Sequence, residues 1–411
     1  MISTHHLSQL DYINLEEQFG AHNYHPIPVV LSRGSGVYLY DCDGKEYFDF
    51  LSAYSAVNQG HCHPRIINAL SEQAKLLTLT SRAFHNDKLG VFEEYMHRYF
   101  GYDKLLPMNT GVEAVETAIK LCRRWAYNVK GIKADQAKII VADGNFHGRT
   151  MAAISASNDP SSYSGFGPLL NGLIKIPYNN LDALTKACED PNICGLLLEP
   201  IQGEAGVIVP DDQYLIEAFK LCKEKNILFI ADEVQTGIAR TGKLLACDHL
   251  NIRPDILILG KALSGGVLPV SAALANNEIM LGIKPGEHGS TFGGNPLACA
   301  VAMEALEVVR DEHLAENSNE MGIYLRELLN HLRSKYPIIK TVRGKGLLNA
   351  IELDSNSDQA WNLCLKFAEN GILAKPTHGH IIRLAPPLCI QREQIETAVG
   401  RMEKSFKQAS L

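Results

Sequence analysis

The chain has 411 residues, 46% of them hydrophobic and 21% charged, which is the composition of an ordinary globular protein long enough for a large core and two domains. A formal net charge of -7 argues against nucleic acid or an anionic membrane surface as the main partner. Ten cysteines stand singly with no C-x-x-C pair, and no apolar run approaches the about 20 residues of a membrane span, so a zinc ribbon, a disulfide framework and a transmembrane protein are all disfavoured.

Residues 1–60 are rich in aromatics and turn formers, with strand-like Val37-Tyr38-Leu39-Tyr40 followed by Asp43-Gly44, a hairpin signal. No arginine or lysine precedes Arg33, whereas Asp11, Glu16 and Glu17 are acidic, so no arginine-rich transit peptide is visible. The expected compartment is the cytoplasm, or the mitochondrial matrix if a leader was removed from this sequence.

Beyond about residue 65 strands alternate with helices. Val115, Ala118, Ile119, Cys122 and Ala126 fall on one face of a helix that opens after Thr110-Gly111. Strands are expected at Ala137 to Ala142, Ile193 to Leu198, Asn226 to Ala231 and Asp255 to Leu259, with a helix carrying Leu215, Ala218, Phe219 and Cys222 on one face. Near-continuous apolar strands alternating with helices indicate an α/β fold with a mostly parallel sheet covered on both sides. After about residue 310 the order becomes helix, strand, helix, then Ile381-Ile382-Arg383-Leu384 and a last helix. The expected division is an N-terminal segment, 1–60, joined to a small α+β domain at 311–411, with a large domain at 61–310.

The polar residues of interest sit just past strands, where active sites of such sheets gather. Lys261 ends the apolar run Ile256 to Leu259 and precedes Ala262-Leu263-Ser264-Gly265-Gly266. An amine at the end of a buried strand must be solvated, paired or used as a nucleophile. Asp232-Glu233 follows another strand and fits either an acidic partner for a protonated ring nitrogen or a magnesium-binding pair. The second lacks its companion, because no G-x-x-x-x-G-K-[ST] occurs. Thr110-Gly111 suits a phosphate cradle at a helix start, or a plain N-cap. Phe146 and Arg149 can stack on a planar group and hold a carboxylate, or serve as core and surface pair. Glu199 and Glu204 read most simply as structural ion-pair residues. His61 and His63 lack a third ligand at a recognisable spacing, so no metal is expected.

Together these motifs carry a family resemblance. Ser52-Ala53-Tyr54-Ser55-Ala56-Val57-Asn58-Gln59-Gly60-His61, Asn145-Phe146-His147-Gly148-Arg149, Glu199-Pro200-Ile201-Gln202-Gly203-Glu204, Ala231-Asp232-Glu233-Val234-Gln235, Gly260-Lys261-Ala262-Leu263-Ser264 and Gly289-Ser290-Thr291-Phe292-Gly293-Gly294-Asn295-Pro296 occur in the order found in the class III, fold-type I pyridoxal-phosphate aminotransferases. The whole chain resembles that family, most closely the branch acting on the δ-amine of L-ornithine.

The resemblance implies a seven-stranded sheet, pyridoxal 5'-phosphate as cofactor, L-ornithine and 2-oxoglutarate as substrates, and a homodimer with shared active sites. It implies that Lys261 forms the Schiff base and then moves the proton, Asp232 holds the ring nitrogen, Gln235 bonds the ring oxygen and Phe146 stacks on the ring. Gly111 and Val112 offer backbone N–H groups to the phosphate, with Thr291 arriving from the partner. Tyr24, Tyr54 and Arg149 meet the substrate, and Glu204 pairs with Arg383 until 2-oxoglutarate enters. Within the class the rival is an acetylornithine or 4-aminobutyrate donor; outside it, a non-catalytic nucleotide-binding protein, which the missing phosphate-loop and dinucleotide motifs disfavour.

Overall fold

The computed structural model describes residues 7–354 and 357–409. Its centre is a seven-stranded sheet in the order Lys104–Met108, Ser271–Ala275, Ile256–Leu259, Leu228–Asp232, Ile193–Leu198, Lys138–Ala142, Leu173–Ile176. Ser271–Ala275 runs antiparallel to both neighbours, and the remaining pairs are parallel. All four anticipated strands are present within two residues. Lys104–Met108, Leu173–Ile176 and Ser271–Ala275 were not anticipated: the first contains Pro107, and the last is mostly alanine, with little intrinsic strand preference. What holds Ser271–Ala275 extended is its hydrogen-bonded pairing on both sides and complete burial.

The helix Gly111–Trp125 lies on this sheet through Val115, Ala118, Ile119 and Cys122 of the predicted stripe, joined by Ala114, each at most 3% exposed, and the last predicted member, Ala126, is buried in the π turn that follows. Burying one such isoleucine or valine contributes about 1.5–3 kcal/mol, so the stripe holds the helix on the sheet, while the cap sets where it starts. That start matters, because Thr110 caps it: its Oγ1 accepts the Glu113 N–H, while the Glu113 carboxylate accepts the N–H of Thr110 at 2.6 Å.

Two further sheets flank the large one. Leu31–Ser35, Tyr38–Asp41 and Glu46–Asp49 form an antiparallel sheet, and Ile372–Leu373 adds to it in parallel with Glu46–Asp49. Ile339–Lys345, Leu348–Leu353, Ile381–Leu384 and Lys375–Thr377 form the other. The helices Leu314–Lys335 and Ser357–Glu369 pack on this sheet, and Arg392–Gln408 packs on both helices.

Candidate active site

Asp232 and Lys261 arrive on adjacent strands. Asp232 is the last residue of Leu228–Asp232 and is paired in register with Ile258, so Lys261 emerges just beyond it at the same sheet edge. Gly260 lies against the start of the helix Gly111–Trp125: a Cβ on Gly260 would stand 3.4 Å from Gly111 Cα, and one on Gly111 would stand 2.9 Å from Val234 Cγ1. Glycine at both positions lets the helix start, the lysine and the loop after Asp232 meet with no side chain between them. The Thr110 carbonyl is fixed by the Ser271 hydroxyl at 2.7 Å.

Lys261 holds φ +46°, a left-handed conformation that costs a non-glycine residue energy and persists where its surroundings enforce it. Its amine is pushed down to about 8, first by burial and then by the positive charge of Arg383, while Asp232, Glu204 and Glu199 pull the other way. The free amine, the form that attacks a carbonyl, is therefore far more abundant near neutral pH than for an ordinary lysine, although the protonated form still predominates.

Asp232 is 4% exposed, and its carboxylate is held at both oxygens: Oδ1 accepts the Val234 N–H at 3.1 Å, and Oδ2 lies 2.7 Å from His147 Nδ1. Burial alone would lower the His147 pKa, but the hydrogen bond and charge of Asp232 outweigh it and raise the net value. His147 belongs to a motif quoted from sequence, yet reading residue types singly gave it no role. The available signal was its place beside Phe146 just past a strand, where neighbouring side chains project to opposite sides.

Glu199 is a second residue whose environment sequence reading understated. Its Oε2 accepts the Phe146 N–H at 3.0 Å, and burial pushes its carboxyl up to about 7 against the pull of His147. It has no cationic partner in an ion pair among the described residues, so it is a buried carboxyl that fixes the backbone under Phe146 and not the ion-pair residue expected.

The expected substrate residues, with Gln235 from the expected cofactor set, divide into two groups. Tyr54, Gln235 and Arg383 come together: Arg383 is 1% exposed, its guanidinium donates to Gln235 Oε1 at 2.5 Å, and its Cζ lies 5.7 Å from the Tyr54 ring centre. Glu204 is not bonded to Arg383. No ion pair joins them within 4.0 Å among the described residues, although Glu204 acts on Arg383 electrostatically. Arg149 is exposed, donates to Ser162 Oγ at 3.1 Å and lies with its Cζ 5.3 Å from the Phe146 ring centre. Tyr24 is 75% exposed on the extended N-terminal segment, close enough to Tyr54 to act on its hydroxyl. Thr291 is exposed, and its neighbour Ser290 accepts a 2.8 Å bond from Asn109, next to the helix start. His61 and His63 form separate pairs, with Asp49 at 2.7 Å and Glu312 at 2.8 Å, and so do not converge.

A terminal amine at a strand end, a braced aspartate beside it and a helix start with outward N–H groups are the parts of a pyridoxal-phosphate site. The family model for aminotransferase class-III matches residues 19–406. The chain belongs to the class-III aminotransferases. Among curated members, the mitochondrial ornithine aminotransferase of Rattus norvegicus is 60% identical over 95% of this chain and 89% of its own. A solved ornithine aminotransferase of Toxoplasma gondii, whose description records partial occupancy of PLP at the active site, superposes with a TM-score of 0.97 at 49% identity, covering 98% of this chain and 95% of that one. An acetylornithine aminotransferase from Elizabethkingia anophelis is 56% identical with a TM-score of 0.90, covering 98% of this chain and 100% of its own. Class-III aminotransferases share fold type I, and the mostly parallel seven-stranded sheet with its separate small sheets is that architecture in this chain.

Proposed function

We propose that this class-III aminotransferase uses pyridoxal 5'-phosphate to move the δ-amine of L-ornithine to 2-oxoglutarate, giving glutamate 5-semialdehyde and glutamate in two half-reactions. The observation that carries this reading is Arg383: a buried guanidinium with no bonded carboxylate among the described residues, within electrostatic reach of the Lys261 amine, is a receiver for a substrate carboxylate. The 60% identity to the rat ornithine aminotransferase supports the choice of donor.

The residues present fit the cofactor. The first N–H groups of a helix have no partner inside it, and because Thr110 caps Glu113, those of Gly111 and Val112 are left to bind the phosphate. Bound there, the cofactor supplies a ring that withdraws electrons from the carbon bearing the transferred amine. Asp232, fixed by His147, holds a proton at the ring nitrogen. Lys261 would hold the cofactor through its amine and, once freed, would serve as the acid and base that moves the proton. Phe146 covers one ring face, the Gln235 amide reaches the ring oxygen, and Thr291 of a second copy completes the phosphate cradle, which makes a homodimer the working unit. Tyr24 and Tyr54 meet the α-amino acid end of ornithine, Arg149 holds the distal carboxylate of 2-oxoglutarate, and Glu204 pairs with Arg383 while ornithine is bound. That exchange keeps a free arginine from attracting the wrong end of the donor.

The division into 1–60 with 311–411 as one unit and 61–310 as the other belongs to the same reading, supported by the pairing of Ile372–Leu373 with Glu46–Asp49. So does a cytoplasmic location, or a mitochondrial one if a leader was removed; the rat relative is described as mitochondrial. Among the described residues no helix is long and apolar enough to cross a membrane.

The 56% identity to an acetylornithine aminotransferase favours one alternative donor. Turnover of L-ornithine, N-acetylornithine and 4-aminobutyrate with 2-oxoglutarate decides between them. L-ornithine is expected to be preferred; preference for either of the others would refute the assignment. Lys261→Ala is expected to abolish both turnover and the borohydride-fixed attachment of the cofactor to the chain.

A further inference from the structure

Arg383 has a second partner that neither the motifs nor the proposed reaction assigns. Its guanidinium donates to Ser55 Oγ at 2.7 Å as well as to Gln235 Oε1 at 2.5 Å, so two neutral oxygens hold it while Glu204 remains unbonded to it.

Ser55 is carried by an unusual segment. Ser52, Ala53, Tyr54 and Ser55 have φ of +49°, +45°, +60° and +71°, four successive non-glycine residues in the left-handed region. Left-handed residues of this kind normally occur singly, and a run of them survives only where its surroundings enforce it. Here the restraints are explicit. Asp49 Oδ1 accepts the N–H groups of Leu51 and Ser52, both at 2.8 Å, and Asp49 Oδ2 pairs with His61 at 2.7 Å. The Ser52 hydroxyl donates to the Ala385 carbonyl, and the Ala385 N–H donates to the Phe50 carbonyl, both at 2.7 Å. The turn is thus fastened to the chain two residues beyond Arg383, and it presents both the Tyr54 ring and the Ser55 hydroxyl to the same guanidinium.

We propose that Ser55 is a specificity-determining positioning residue: its hydroxyl, with Gln235, holds Arg383 in the arrangement that receives a dicarboxylate and away from its pairing with Glu204. This rests on the reading of Glu204 and Arg383 given above. The guanidinium has two sets of acceptors, one neutral and one anionic, and the population of each follows the difference in free energy between them. Removing the Ser55 hydroxyl leaves one N–H of a buried cation unpaired in the first arrangement only, which shifts Arg383 toward Glu204.

The test uses Ser55→Ala, Ser55→Gly and Glu204→Gln in the holoenzyme. Glycine adopts the left-handed conformation without strain, so Ser55→Gly removes the hydroxyl while favouring the turn. Glutarate, a dicarboxylate with no oxo group, is titrated calorimetrically, and kcat/KM is measured for 2-oxoglutarate and for L-ornithine. Both serine variants are expected to bind glutarate about tenfold more weakly, about 1.4 kcal/mol, and to lower the ratio of kcat/KM for 2-oxoglutarate to that for L-ornithine by a similar factor. Adding Glu204→Gln to Ser55→Ala is expected to restore most of both. An equal fall for both substrates, no rescue by Glu204→Gln, or wild-type behaviour of Ser55→Gly would overturn the proposal. Failure of the wild type to use L-ornithine would overturn the donor assignment alone, since glutarate affinity does not depend on the donor.

Discussion

His147 Nδ1 and Asp232 Oδ2 lie 2.7 Å apart with both side chains sealed from solvent, 4% exposed for Asp232 and 3% for His147. The pair fixes the carboxylate whose other oxygen is anchored to the Val234 N–H. His147→Ala strands a buried charge, and truncating one side of such a pair typically costs about 3–5 kcal/mol. Urea unfolding is expected to show a loss of that order, and His147→Asn, which retains an N–H donor, is expected to recover part of it.

The Lys261 amine has a pH signature. Its value falls from the ordinary 10.5 to about 8, through burial first and Arg383 second. The rate at which cofactor-free protein captures pyridoxal 5'-phosphate is therefore expected to rise with pH through a midpoint near 8 and level off above it, followed by absorbance. The sign for stability is opposite to that of a paired lysine. Between about 8 and 10.5 the unfolded chain holds a proton that the folded one lacks, so this group's contribution falls away as pH drops through the window.

Glu199 acts in the other direction. Burial raises its carboxyl from 4.5 to about 7, so between these values the folded chain holds a proton that the unfolded chain has released. Its contribution to stability is full below about 4.5 and is lost as pH rises through about 7. Glu199→Gln keeps an acceptor for the Phe146 N–H and does not titrate. The difference in denaturation midpoint between wild type and variant is expected to change across this window and to be flat above it.

Gly148 has φ +128°, and a Cβ placed on it would stand 2.3 Å from Val112 Cγ2. Gly148→Ala therefore strains the backbone and presses on the helix start that carries Gly111. A loss of about 1–3 kcal/mol, with weakened cofactor retention on dialysis, is expected. Val112→Ala in the same chain removes Cγ2 but leaves the Val112 Cβ 2.6 Å from the added methyl and the backbone strain in place, so only a small part of the loss is expected to return.

The sheet and its first helix were legible because each depends on local pattern. Ile193–Leu198 is an uninterrupted apolar run, and the stripe from Val115 to Cys122 has a helical period. Lys104–Met108 and Ser271–Ala275 were not legible, because they are strands by virtue of their neighbours' hydrogen bonds and not of their own residues. The same distinction runs through the site. Lys261 and Asp232 declare themselves as polar residues at the ends of apolar strands, and the motifs around them point to the family.

What the residues of Arg383 touch could not be read from the chain. Ser55 is 328 positions away and Gln235 is 148. Glu204, the partner expected from the resemblance, is unbonded to it. The sequence by itself determined the reaction class, through the short-range order of strand, polar residue and turn. Tertiary packing alone settles that His147 braces Asp232, that burial raises the Glu199 carboxyl and that Ser55 holds Arg383. These are burial and hydrogen-bonding facts, which depend on what the remainder of the fold brings within a few ångströms.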